Sequence, residues 1–552
     1  MDTLLKVRCI NNGNTYEVPE GCSLQELCDI VKPNLRFAPV SAKVNNVSQG
    51  LNVRLFYNSD VEFVDITNRS GMRTYTRTLL FVLAKAVEER YRGVHISVEA
   101  PISNGYYINL RHADDVAIDV TEICKRIDDI IAKDIPLEKI VCPTDQAIEV
   151  FEQAGMKSKV KLLRTIGSLY TTYFTLDGYP GYYFGDMCPS TKFITLYGLE
   201  KYHEGLLLRL PDPERVGELK PVIKQEKMLE VFNENHRWQD LGCLRTVGEL
   251  NEACANGHTN DVINVSEALQ EKKICHIAEA IQAKKSVKLV LISGPSSSGK
   301  TTFSKRLSVQ LMACGLRPCP ISMDEYFLPR EQTPKDENGN YDFESIDALN
   351  LPLLTEHLAS LFAGQEVELP HFDFQSGKSL KSGKKLKLEQ NDILIMEGIH
   401  ALNPKLTSSL DNSFKFKIYV SALTTIQLDD QNYISTTDNR LLRRIVRDYK
   451  YRGYSAVDTI RRWPDVGRGE HKWIFPYQEE ADVMFNSALL FELAGLRTQA
   501  LPLLEMVPEN CPEYSEAYRL RKFLAYINPI GIKSLPPISL LREFMGGSSF
   551  KY

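Results

Sequence analysis

The chain has 552 residues, 43% of them apolar and 25% charged, with a net charge of −5. This is the balance of an ordinary globular protein of about three or four domains, and it removes any general electrostatic reason to bind nucleic acid or anionic membrane, leaving only a local basic patch open. Twelve cysteines without a C-x-x-C pair exclude a zinc knuckle and a disulfide framework. The opening MDTLLKVRCINNGN lacks an apolar signal core, and no apolar run is long enough to span a bilayer. A cytoplasmic protein with reduced thiols and no membrane partner is expected.

Residues 1–66 alternate short strand-like runs (LLKVRCI, TYEV, LNVRLFY, VEFVDI) with one helical segment, SLQELCDIV, capped by Ser23. A small β-grasp-like module is expected there. Residues 67–210 open with a helix, TYTRTLLFVLAKAVEERY, and continue to EAPISNGYYINL. Residues 211–285 read as a helical linking layer, with apolar residues at spacings of three and four. Residues 286–490 form the chemical part, and residues 491–552 read as a helical cap.

The chemical part starts at VKLVLISGPSSSGKTTFSKRLSVQ, Val287 to Gln310. An apolar run predicts a buried parallel strand. GPSSSGKT then fits G-x-x-x-x-G-K-S/T at every fixed position. Phe303, Leu307 and Leu311 predict the buried stripe of a following helix that Gly315 closes. In such a loop, Gly294, Pro295, Ser296, Ser297, Ser298 and Gly299 curl so that backbone N–H groups point inward at phosphate oxygens. The helix dipole adds to this from Lys300, Thr301 and Thr302. Lys300 is expected to reach the β- and γ-phosphates, and the Thr301 hydroxyl to take one position on Mg²⁺. The motif implies a nucleoside triphosphate site in an α/β fold.

Two acids follow. RPCPISMDEYFLPR is read as a strand ending at Asp324, which in an open α/β sheet faces the γ-phosphate. A carboxylate there can take a proton from an attacking hydroxyl or bind the metal. NDILIMEGIHAL is a buried strand ending at Glu397, placed as a Mg²⁺ partner. In TTDNRLLRRIVRDYKYRG, Asp438 is the expected N-cap, and Arg440, Arg444 and Arg447 share one helix face that can close over a triphosphate as a lid.

These residues carry two resemblances. The front, with PVSAKVNN, resembles the TGS domain of threonyl-tRNA synthetases, and residues 67–210 resemble the second additional, editing-type domain of the same enzymes. In that family the editing site uses two histidines on the helix, a cysteine and a later histidine. Here the helix has none; Tyr75, Arg77, Leu79 and Phe81 fill the neighbourhood. Cys188 stays, and Lys192 stands at the last histidine position. One ligand of four cannot hold zinc, so a scaffold with lost chemistry is expected.

The second resemblance is to the uridine kinase family, related to phosphoribulokinase, through SMDEYF, FESIDA, PHFDF, IMEGIH and RRIVRD-x₃-RG in family order. It implies a P-loop parallel-sheet kinase domain behind the β-grasp and α+β synthetase-like modules, using ATP and Mg²⁺ on a nucleoside 5′-hydroxyl. It implies Asp324 as base, Thr301, Asp324 and Glu397 around Mg²⁺, and Arg444, Arg447 and Arg452 in the lid. Phe343 and Phe374 match aromatics flanking the base, and Glu344 stands at a ribose-binding aspartate. The chain departs from the family at Phe372 (a tyrosine there), Gly377 (a histidine), Tyr454 and Arg462. Contact with RNA or tRNA through the front modules and a homo-oligomer stay open. So do two other functions, an ATP-switched tRNA- or ribosome-binding regulator and a kinase for a non-nucleoside hydroxyl compound.

Overall fold

The computed structural model describes residues 4–113, 116–336, 339–373, 375–408 and 410–552. At the front, strands Leu4–Cys9 and Ser59–Val64 run parallel in the middle of a five-stranded sheet. Helix Leu24–Val31 lays Leu24, Leu27, Cys28 and Val31 on it. Ser23 caps that helix as expected, and Glu26 reaches back to the Ser23 N–H to complete a capping box.

Next comes helix Arg69–Arg90, whose Leu79, Phe81, Leu83 and Val87 form a core with a four-stranded antiparallel sheet. A second antiparallel sheet of three strands, Leu137–Pro143, Tyr170–Leu176 and Tyr179–Gly181, lies beside it. Glu99, in strand His95–Ile102, ties this region to the helical layer. It pairs with Arg111 at 3.0 Å, His236 at 3.1 Å and Arg245. Burial pushes its carboxyl up, but His236, Arg245 and Arg111 outweigh that and hold it down to about 2.

Residues 286–490 are built on a five-stranded, wholly parallel sheet. Its spatial order is Arg317–Ser322, Asp392–Glu397, Leu289–Ser293, Lys415–Ser421, Val483–Asn486. Leu289–Ser293 is buried on both faces, so its sequence is a continuous apolar run rather than an alternation.

The helices expected to link are part of this core. Helix Thr259–Ala283 puts Ile274, Ile277 and Ile281 into one apolar cluster with Phe303, Leu307 and Leu311 of the P-loop helix, Lys300–Ala313. Arg306 of that helix bonds Glu271 at 2.6 Å and Glu267 at 3.3 Å. On the other side, Glu492–Glu505 and Tyr514–Leu524 close the same cluster. Among the described residues, no helix is long and apolar enough to cross a membrane.

Candidate phosphotransfer site

The loop from Gly294 to Thr301 joins the central strand to its helix. Gly294 has to be glycine: a Cβ there would lie 1.9 Å from the Val420 carbonyl oxygen. Ser297 takes a left-handed φ of 58°, which curls the loop. The Ser297 and Ser298 hydroxyls are enclosed and have no hydrogen-bond partner among the described residues. Lys300 Nζ donates to the Gly294 and Pro295 carbonyls at 2.9 and 3.1 Å, holding the ammonium inside the curl.

Both acids stand at the carboxyl ends of their strands. Thr301 Oγ1 donates to Glu397 Oε1 at 3.2 Å. Burial, then the charge of Asp324, push the Glu397 carboxyl up to about 7. Asp324 follows strand Arg317–Ser322 in a single 3₁₀ turn, with its N–H on Ser322 Oγ at 3.3 Å. Its side chain opens to the cleft yet is hemmed in by protein, which raises its pKa, while Lys300, Arg452 and Arg447 pull it back down. Two carboxylates, one ammonium and one hydroxyl thus gather beside the loop. This oxygen-rich donor set fits a hard divalent cation.

The arginines come from helix Thr436–Arg452. Its N-cap is Ser435, which accepts from the Thr437 N–H at 3.1 Å, and not Asp438 as expected. Asp438 sits in the first turn, where the Arg519 guanidinium takes both its oxygens at 2.7 and 2.8 Å. The face of Arg440, Arg444 and Arg447 divides in two. Arg440 is buried, donates to Ser296 O at 2.9 Å and pairs with Glu470, so it supports the loop's shape. Arg444 reaches Ser296 Oγ at 3.0 Å. Arg447 and Arg452 pair with Asp448 at 2.8 and 3.6 Å, and both add positive potential at Asp324. Burial, then Arg447, push Arg452 down to about 10.

Among the expected acceptor residues, Glu344 is drawn in. It packs on Gly469, its Oε2 is enclosed with no hydrogen-bond partner, and burial followed by Glu470 pushes its carboxyl up to about 7. Phe343 is half exposed, its ring 5.9 Å from that of Tyr341. Phe372 is buried with its ring tilted on Phe327, and its N–H donates to Glu325. Phe374 lies outside the described residues. Gly377 holds a φ of 70° in the turn between strands Val367–Asp373 and Lys378–Leu386, where a Cβ would press on the Arg330 side chain. Arg462 stacks over the Tyr454 ring at 4.4 Å, so these two departures from the family pattern satisfy each other.

Residues 289–490 match the model of the phosphoribulokinase / uridine kinase family. A uridine kinase of Staphylococcus aureus is 30% identical over 201 residues, 36% of this chain and 87% of that protein. The chain belongs to the phosphoribulokinase / uridine kinase family. A uridine kinase of Halobacterium salinarum is 26% identical over 216 residues, 39% of this chain and 83% of that one. The front half is similar to a threonine–tRNA ligase of Natranaerobius thermophilus, 31% identical over 154 residues. That match takes in 28% of this chain but only 24% of the ligase.

This family member carries site residues that its motifs do not reveal. Glu470 accepts the Ser296 N–H at 3.0 Å, so a carboxylate occupies a loop amide. Arg443 is fully buried, binds the Ser297 and Ser487 carbonyls and pairs with Glu492. The segment 537–552 reaches the far end of the loop. There Glu543 Oε2 accepts from the Thr302 N–H at 3.1 Å and from Thr302 Oγ1 at 2.5 Å, and Tyr552 OH lies 2.8 Å from the same hydroxyl. Leu540 covers Gly299. No local pattern announces these groups, because each acts from a distant part of the chain. In the front half, Cys188 is buried, its N–H donates to Thr78 Oγ1 at 3.0 Å, and burial pushes its thiol up to about 12. Lys192 pairs with Asp134.

Proposed function

We propose that this kinase transfers the γ-phosphate of ATP to the 5′-hydroxyl of a nucleoside. The observation that carries the reading is the meeting of Asp324 and Glu397 with Lys300 at the strand ends, beneath the charge of Arg447 and Arg452. The loop amides and Lys300 hold the triphosphate, and Glu344 holds the sugar. Asp324 takes the proton of the acceptor hydroxyl as its oxygen bonds to the γ-phosphorus and the bond to the β-phosphate oxygen breaks, releasing ADP. Arg444, Arg447 and Arg452 offset the charge spread over the transferring group. Thr301, Asp324 and Glu397 would hold a Mg²⁺ ion, which neutralises phosphate charge when bound.

The test separates binding from chemistry. Asp324→Asn is expected to lower kcat by about 10²–10⁴ while ATP binds within about twofold of wild type, because the loop amides and Lys300 that hold the triphosphate stay in place. Lys300→Ala is expected to weaken ATP binding itself. ADP release is measured across a panel of nucleosides and sugar alcohols. Near wild-type turnover by Asp324→Asn would overturn the assigned base, and turnover of sugar alcohols alone would overturn the nucleoside. A second reading, an ATP-switched tRNA-binding protein, is supported by the ligase-like front half. It has no use for Asp324, and absence of any phosphorylated product would favour it.

A further inference from the structure

Away from the P-loop, a cavity of about 470 Å³ opens between the front sheet, the helix Arg69–Arg90 region and helix Tyr514–Leu524. Its volume is that of sites that enclose a small molecule. Five cationic side chains line it: Arg73, Arg77, Lys139, Arg519 and Lys522. The carboxylates paired with them are Glu516 (to Arg73 and Arg519), Asp438 (to Arg519) and Asp186 (to Lys139). That leaves two cations in excess.

Arg77 is the most exceptional of these. Its guanidinium donates only to neutral oxygens, the Asp186 carbonyl at 2.8 Å and Thr74 Oγ1 at 3.2 Å, and it makes no ion pair among the described residues. Gly185, at a φ of 112°, lets it lie flat on the backbone: a Cβ there would stand 2.8 Å from the guanidinium carbon. Burial, then the neighbouring Arg73, push Arg77 down to about 10. A glycine is thus spent on holding a cation beside other cations, an arrangement that an anion would relieve. Beside the charges stand ring faces: Phe184 and Tyr526 meet edge to face at 5.7 Å, and Lys522 lies over Tyr518. Arginine forks suit phosphate oxygens, and tyrosine rings suit a base.

We propose that this cavity is a second ligand site, for the phosphate and base of a free nucleotide, and that it is coupled to the P-loop through Arg519 and Asp438. Arg519 lines the cavity and clamps Asp438 in the first turn of the lid helix, whose Arg440, Arg443 and Arg444 grip the P-loop. A phosphate drawing on Arg519 loosens that clamp. The coupling is one of binding free energies and therefore works in both directions.

The site is tested by binding, so its failure is distinguishable from failure of the kinase reading. Full-length Lys300→Ala chain is titrated calorimetrically with UMP, AMP and inorganic phosphate, then again with Arg77→Ala or Lys522→Glu added. Lys522 is exposed, so that variant keeps the fold if Arg77→Ala does not. One equivalent of UMP or AMP, weakened at least tenfold by Lys522→Glu, is expected, with inorganic phosphate weaker. In the otherwise wild-type chain, UMP is expected to shift ATP affinity severalfold, and Lys522→Glu to abolish the shift. No binding of any probe, or binding that Lys522→Glu leaves unchanged, overturns the site. Binding that leaves ATP affinity unmoved overturns the coupling. A dependence on these residues seen only with an RNA oligonucleotide overturns the free nucleotide.

Discussion

Under the nucleoside reading proposed above, Gly377 bears on specificity. A glycine at a φ of 70° in a hairpin turn offers no hydrogen-bonding group to a nucleobase, and buried Phe372 has no hydroxyl to offer either. Sites that read a ligand by hydrogen bonds reject analogues by large factors because unmatched polar groups stay unpaired, whereas ring contacts discriminate poorly. The expected outcome is a relaxed base preference: kcat/KM for uridine, cytidine, inosine and adenosine within about a hundredfold. A wider preference for uridine over both purine nucleosides overturns it. At this scale the sequence was informative wherever a motif fixes backbone and side chain together. Lys300, Thr301, Asp324 and Glu397 come together around the loop. Glu470 and Glu543 were invisible, because a lone glutamate in a helical stretch looks the same whether it faces water or a loop amide.

Between strand His95–Ile102 and the helical layer, the buried carboxylate of Glu99 adds ion pairs to His236 and Arg245 beside the apolar contact of Ala100 and Ile102 with Met228 and Phe232. Its pKa falls from 4.5 to about 2 on folding, so its contribution to stability is complete above pH 4.5 and is lost as the pH drops from there through 2. At about 1.4 kcal/mol per unit this is about 3 kcal/mol. Glu99→Gln is expected to destabilise the chain by about that amount at pH 7 and to flatten the acid limb of its stability curve below pH 4.5. Denaturant titrations at several pH values check both, and an unchanged limb rules Glu99 out as the source. Element types were largely legible because period and length separate buried strands from amphipathic helices. The division of labour on the lid helix was not. Spacing puts Arg440, Arg444 and Arg447 on one face but cannot tell which guanidinium meets a carbonyl, which a hydroxyl and which a carboxylate.

On the scale of the whole molecule, the layer read as a linker shares a core with the parallel sheet. Helical periodicity shows that a face is apolar and not what it packs on. Cutting out residues 286–490 therefore exposes Phe303, Leu307 and Leu311 on one side and Leu441, Leu442 and Ile445 on the other. Such a fragment is expected to aggregate or bind a hydrophobic dye, whereas the full chain, which keeps Ala147, Phe151 and Leu162 in the same core, unfolds cooperatively. Thermal melts of the two decide it, and a cooperative melt for 286–490 alone overturns the shared-core account.

The contact between Glu543 and Thr302 has a consequence for any nucleotide that enters. A carboxylate tethered on the same chain competes at an effective concentration set by its linker and not by the solution, so dilution never removes it. A triphosphate held by the loop amides, as proposed above, has to displace it, and the observed affinity is then the intrinsic one scaled by the fraction of chains in which the amide is free. The loop sets how well this kinase can hold a triphosphate; a segment some 240 residues further along the chain sets how often it is available to do so.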